Sequence, residues 1–267
     1  MNLVNIARLH QFRLRRCVKF SLGRYLFGLA TIATGICALA SHNYDQLAAV
    51  PHHALLSNIV AAIEILAGLA VLWTRTARLG AVALGAIYLI FSFLALPLII
   101  HQPLVYNNFG NFFEQFSYVA GALLLYACAA PIAAPRNTKL AQIGYYSFAL
   151  CLVSFALEQL FYLSATATLV PKWLPPGQMF WAIATTAAFA LAAIALLTGF
   201  MPLLASRLTI AMLVGFLLLV WLPALFADPH NFAIWSEALE TLAITGSALL
   251  VVDYLAHRRT AQPSSAS

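Results

Sequence analysis

Apolar residues run through this chain in long, nearly unbroken stretches. Eight can be drawn, at 22–41, 54–74, 78–100, 112–134, 141–163, 178–199, 204–226 and 232–256. Each has the length of about 20 residues that a helix needs to cross a bilayer. Lipid cannot satisfy exposed backbone polar groups, so such segments must be helices or closed barrels. A barrel strand alternates apolar and polar residues, and these runs do not alternate. The pattern predicts an all-α, polytopic membrane protein of eight transmembrane helices.

Composition agrees. Of 267 residues, 63% are hydrophobic and 8% charged, and mean hydropathy is +0.89. A soluble domain needs about a quarter charged residues to present a wet surface. The net charge of +6 suggests nucleic acid until its placement is considered. The basic residues sit in short clusters between apolar runs, which is the pattern of orientation signals. Arg8, Arg13, Arg15, Arg16, Lys19 and Arg24 precede or open the first run. Arg75, Arg78, Arg136, Lys139, Arg207, Arg258 and Arg259 fall at alternate junctions, and Lys172 alone falls on the other side. Both termini are therefore expected in the cytoplasm, with the chain a multi-pass protein of the plasma (inner) membrane that binds no nucleic acid. Trp73, Trp173, Trp181, Trp221 and Trp235 lie near run ends, as interfacial aromatics do.

The runs also repeat. Gly23, Tyr25 and Phe27 open the first with the spacing that Gly144, Tyr146 and Phe148 repeat in the fifth. Val50-Pro51 matches Val170-Pro171, and Arg78-Leu79 matches Arg207-Leu208. "LPLIIHQP" (Leu96 to Pro103) matches "LPALFADP" (Leu222 to Pro229), and Asn108-Phe109…Glu114 matches Asn231-Phe232…Glu237. The order of matches predicts two four-helix bundles at 22–134 and 141–256, a basic leader at 1–21 and a polar tail at 257–267. Four crossings per unit make the repeats parallel. The prolines are expected to break or end helices near the outer interface. "LFGLATIATGICALASHN" could pass for a cleaved signal, but its match to the internal fifth run argues that it is retained.

The second half resembles the DoxX-like membrane proteins, in the outer-loop motif of Val170, Pro171, Trp173 and Pro175 and in the last helix with Glu237, Gly246 and Ala248. The first half is similar more loosely: Val50-Pro51 is kept, "PHH" replaces the tryptophan motif, and Glu64 lies in a run like the family's second helix. The resemblance implies tandem four-helix units and an association with respiratory, quinone-dependent or oxidative-stress complexes. It supplies no catalytic residues.

Five carboxylates fall inside the runs: Glu64 near mid-membrane, and Glu114, Glu158, Glu237 and Glu240 in the outer half. Glu237 and Glu240 share a helix face with Thr241; Ser117 and Tyr118 share that of Glu114. No Lys or Arg lies at these depths, so neutral, hydrogen-bonded forms are expected. Such acids are candidates for ligand binding or a proton relay, or they join helices through Ser, Thr and Tyr. His42, Asp45, His52, His53, His101 and His230 cluster in the outer loops and form a weak candidate metal set that matches no ligand spacing.

No histidine lies deep in a run for intramembrane haem, and Cys17, Cys37, Cys128 and Cys151 form no thiolate motif. No iron–sulfur or nucleotide motif is present either, which leaves a quinone as the conceivable cofactor. Three functions follow: a redox-associated subunit that binds a quinone or docks a redox partner protein, a proton-coupled transporter or permease, and a non-enzymatic membrane scaffold.

Overall fold

The computed structural model describes residues 21–42, 44–47, 53–129 and 135–261, with the backbone alone at 45, 135–137 and 259–261. Among them every regular element is helical. The helices are α1 (Leu22–Ser41), α2 (His53–Leu72), α3 (Ala77–Leu94), α4 (Leu96–His101), α5 (Asn107–Cys128), α6 (Pro135–Phe161), α7 (Leu163–Leu169), α8 (Gln178–Thr198), α9 (Pro202–Phe216), α10 (Leu222–Ala227) and α11 (Phe232–Ala261). A single 3₁₀ turn, Asp45–Leu47, follows α1.

Seven segments are long and apolar enough to cross a membrane: Leu22–Ser41, His53–Leu72, Ala77–His101, Thr138–Phe161, Gln178–Thr198, Pro202–Ala227 and Phe232–Arg258. The chain is thus an all-α, multi-pass protein whose apolar helices suit contact with a lipid bilayer. The fourth expected span, 112–134, is replaced by α5 at Asn107–Cys128, five residues earlier at its start. Asn107, Asn108, Asn111, Glu114, Gln115 and Ser117 make its first half too polar to read as a span, yet its 22 residues reach about 33 Å. The fifth helix starts at Pro135 rather than 141, because proline suits a helix's first turn. The last runs on to Ala261, so the first residues of the expected polar tail are helical.

Local chemistry sets the ends. The Ser21 hydroxyl accepts the Arg24 N–H at 3.1 Å and caps α1. Between α3 and α4, Pro97 has no N–H to give, and the helix restarts with the proline in its first turn. Pro223 stands in the same place in α10, and here the preceding turn, Leu217–Trp221, widens into a π-helix. Both short helices have six residues and end alike, Gln102 N–H bonding the Leu98 carbonyl and Asp228 N–H that of Ala224.

The long helices form two rings with a common edge. α1 packs on α2, α2 on α3, α3 on α5, α5 on α11, and α11 back on α1. The second ring runs α5, α6, α8, α9, α11. The shared pair, α5 and α11, is the centre of the molecule. Close approach there depends on glycine: a Cβ on Gly246 would come within 2.8 Å of the Phe27 backbone, and one on Gly23 equally close to that of Leu250. The core around this edge holds Phe27, Tyr118, Leu124, Phe148, Ala243 and Leu250. Ser21, the cap of α1, also donates to the Asp253 carboxylate of α11, which brings the start of α1 and the end of α11 to one end of the bundle, called here the terminal end.

Candidate functional site

Glu64 lies fully buried on α2, inside the first ring. The Tyr44 and Tyr88 hydroxyls donate one to each of its carboxyl oxygens, so a loop, α2 and α3 are tied through one acid. Burial, then the neighbouring Glu64, pushes the Tyr44 hydroxyl well above the ordinary phenol range, which keeps it a donor. Tyr88 stacks on Tyr118 of α5 with ring centroids 4.2 Å apart, and Phe91 packs on both Tyr44 and Tyr88. Tyr44 also lines a cavity of about 270 Å³ together with Thr34, Cys37, Ser41, Phe232 and Ser236. The tyrosine therefore stands between that space and Glu64.

The other four acids come together where α5, α6 and α11 meet, at the end of the bundle away from the start of α1 and the end of α11. The Glu114 and Glu240 carboxyls lie within hydrogen-bonding reach of each other, and Glu158 and Glu237 lie close by. Two carboxyl groups bond to each other only when one carries a proton, so this placement suits a shared proton. The Glu158 carboxyl rests against the Cα of Gly110 on α5, where any side chain would displace it. Tyr106, at the start of α5, donates to Ser154 of α6 at 3.3 Å, and the Tyr162 hydroxyl accepts the Asn107 N–H at 3.2 Å. These bonds hold the polar start of α5 to the end of α6. Tyr118 packs on Tyr88 of the Glu64 group and lies one turn from Glu114 on α5, and so links the two acidic centres.

Beside this cluster the second ring is hollow. A cavity of about 330 Å³ is walled by Leu169, Trp181, Met212, Phe216, Leu219 and Trp221, with Gln159, Thr185 and Thr241 as its polar points. The π-helical turn of Leu217–Trp221 forms one wall; such turns recur at functional sites. Thr185 and Thr186 lie 3.2 Å from the Gln159 side-chain oxygen as donors, and no described residue accepts from its amide nitrogen. Gln159 follows Glu158 directly on α6, and Thr241 follows Glu240 on α11, so the cavity and the acid cluster share two helices. In the first ring Tyr44, Tyr88 and Phe91 close off Glu64 from the cavity between α1 and α11, whereas the cavity of the second ring, of the size small ligands occupy, opens directly on Gln159.

The loop histidines do not converge. His42 bonds Asn58 at 3.1 Å, and His53, His101 and His230 are exposed at separate helix ends. His52 and the Asp45 side chain lie outside the described residues. Among the described residues no group of three or more His, Cys, Asp or Glu is placed to hold a metal ion. Cys37, Cys128 and Cys151 are free thiols.

Sequence reasoning missed Gln159, Thr185, Tyr44 and Tyr88. Gln159 could have been found as a second polar residue beside Glu158 in an apolar run; nothing in the local spacing joins Tyr44 or Tyr88 to Glu64. Comparison with family models, curated proteins and solved structures returns no match.

Proposed function

We propose that the second ring binds an amphipathic, lipid-soluble molecule of the quinone class, and that the neighbouring glutamates hold and pass protons for it. The observation that carries this reading is the cavity itself: apolar and aromatic walls for a ring and an alkyl chain, and Gln159 as a free donor for a carbonyl oxygen. A carboxyl pair placed to share a proton, Glu114 of α5 and Glu240 of α11, lies beside the cavity, with Glu240 next to the lining residue Thr241. Reduction of a quinone by electrons from a redox partner protein takes up protons, and such a cluster is a source for them. Glu64, enclosed by tyrosines, serves in this reading as a tie between helices. The resemblance to DoxX-like proteins points the same way.

The reading includes the topology. The chain crosses eight times, with α5 as the eighth span, as two parallel four-helix repeats, and both termini face the cytoplasm. In favour of the repeat, exchanging α1, α2, α3 and α5 for α6, α8, α9 and α11 reproduces the set of main helix packings. The two proline-started helices, α4 and α10, exchange as well. On this orientation the acid cluster and the cavity lie in the outer half of the membrane.

The test is quinone content and binding. Purified full-length protein should carry extractable quinone or bind decylubiquinone saturably. A Cβ on Gly215 of α9 meets nothing within 4 Å, and Gly215 lines the cavity. Gly215→Phe should therefore leave thermal stability intact while weakening decylubiquinone binding about tenfold or more. Wild-type protein without quinone and without saturable binding overturns the proposal, as does undiminished binding by a folded Gly215→Phe variant.

A further inference from the structure

The sequence marks Arg24 as one more orientation charge, a role that requires its head to lie in water or among headgroups. In the structure Arg24 is only 4% exposed. Its guanidinium donates to the Tyr25 hydroxyl at 3.0 Å and lies 4.8 Å from the centre of that ring. Its Nε is buried with no hydrogen-bond partner, and among the described residues no carboxylate pairs with it. Buried charges in proteins are paired, because an unpaired one is costly to desolvate.

Arg24 borders a cavity of about 40 Å³ at the terminal end of the bundle, between α1, α5 and α11. Ser21, Thr74, Cys128, Asp253 and His257 also line it, and Leu125, Ala129 and Leu250 complete the surround. The volume suits about three waters, or the oxygens of one phosphoryl group. The space also adjoins the first turn of α1, whose backbone N–H groups favour an anion. Asp253 opposes one, but its Oδ2 already accepts from Ser21, and the His257 ring lies 2.6 Å from its backbone carbonyl.

We propose that this cavity binds a monoanionic phosphate group, which completes the pairing of Arg24. Two sources share that chemistry: the phosphodiester of a lipid headgroup at the membrane surface, and free phosphate. The site is independent of the quinone reading, since it lies at the other end of the bundle.

Delipidated full-length protein in a neutral detergent, titrated with phosphatidylglycerol, with inorganic phosphate and with the phosphate-free lipid monoolein, tests it by thermal shift. Phosphatidylglycerol should raise Tm and monoolein should not. Arg24→Met should weaken the phosphatidylglycerol response about tenfold or more. Asp253→Asn keeps an acceptor for Ser21 and removes the opposing charge, so it should tighten binding several-fold; it also serves if Arg24→Met fails to fold. A response to inorganic phosphate with the same dependence on Arg24 assigns the site to the free anion; a response to phosphatidylglycerol alone assigns it to the headgroup. No response to either probe, equal responses in wild type and folded Arg24→Met, or unchanged binding by Asp253→Asn overturns the proposal.

Discussion

Tyr88 shows how much of this molecule depends on single hydroxyls. It and Tyr44 satisfy a carboxyl group that has no exposure at all, and a buried acceptor left without its donor costs about 1–3 kcal/mol. Tyr88→Phe should lower stability by that amount, read as a drop in Tm in a fixed detergent. The companion variant separates lost hydrogen bonding from lost packing. Replacing all the partners by apolar groups of similar shape is nearly neutral, so the triple change Tyr44→Phe, Glu64→Leu, Tyr88→Phe should recover most of the loss. A Tyr88→Phe variant as stable as wild type would mean that water reaches the carboxyl and that Glu64 is not closed off. The sequence exposes Glu64 readily, as an acid in an apolar run, but hides its partners. Tyr44 lies 20 residues away in a loop and Tyr88 24 away on another helix, and no local spacing joins them.

At the scale of elements, the α1–α11 contact sets the geometry of the centre. Helices in lipid gain little from apolar contact alone and rely on close backbone approach at small residues. Gly246 meets the Phe27 backbone rather than a movable side-chain tip, so the contact cannot give way locally. Gly246→Ala should improve helix propensity by about 1 kcal/mol yet destabilise the protein by about 1–3 kcal/mol through overpacking. Gly215→Ala on α9, with open space around it, is the control that should show the propensity gain alone; both are read by Tm in the same detergent. If Gly246→Ala stabilises the protein like the control, the contact between the two helices is looser than described. Hydropathy reveals that these helices exist and where they run, because the bilayer imposes one length and one polarity on each. It misplaces α5, whose polar first half carries Glu114 and the bonds that tie it to the end of α6, so that the apolar run marks only the later part of the helix. It also places the prolines of α4 and α10 correctly as breaks, while giving no sign of the π-helical turn, which a shift in hydrogen-bond register creates without any composition cue.

For the molecule as a whole, the long-range order of helices was the least legible feature. Matching markers predict two like-oriented four-helix bundles. The described packing adds how the long helices close on one another: α11 closes the ring that α1, α2, α3 and α5 begin, and α5 closes the ring of α6, α8, α9 and α11. Markers along a chain reveal what is repeated but carry no information on which copy supplies a neighbour. The difference has a consequence for folding. A half ending near residue 134 would expose the α1 face that packs on α11, including the Gly23 surface fitted to the Leu250 backbone, and the α5 faces turned to α6 and α11. A half beginning there would lack α5 and leave the acids of α6 and α11 without Glu114. Neither half should give a monodisperse, thermally cooperative product in detergent when expressed alone. Co-expressed as two chains, they should associate, because every ring contact except the covalent link survives, and should co-purify with a Tm within several degrees of the intact protein. Size-exclusion chromatography of the separate and paired halves reads the outcome directly. A first half that is monomeric and unfolds cooperatively by itself would make the halves two self-sufficient bundles, and the shared edge of α5 and α11 would then be a contact between domains rather than the core of one.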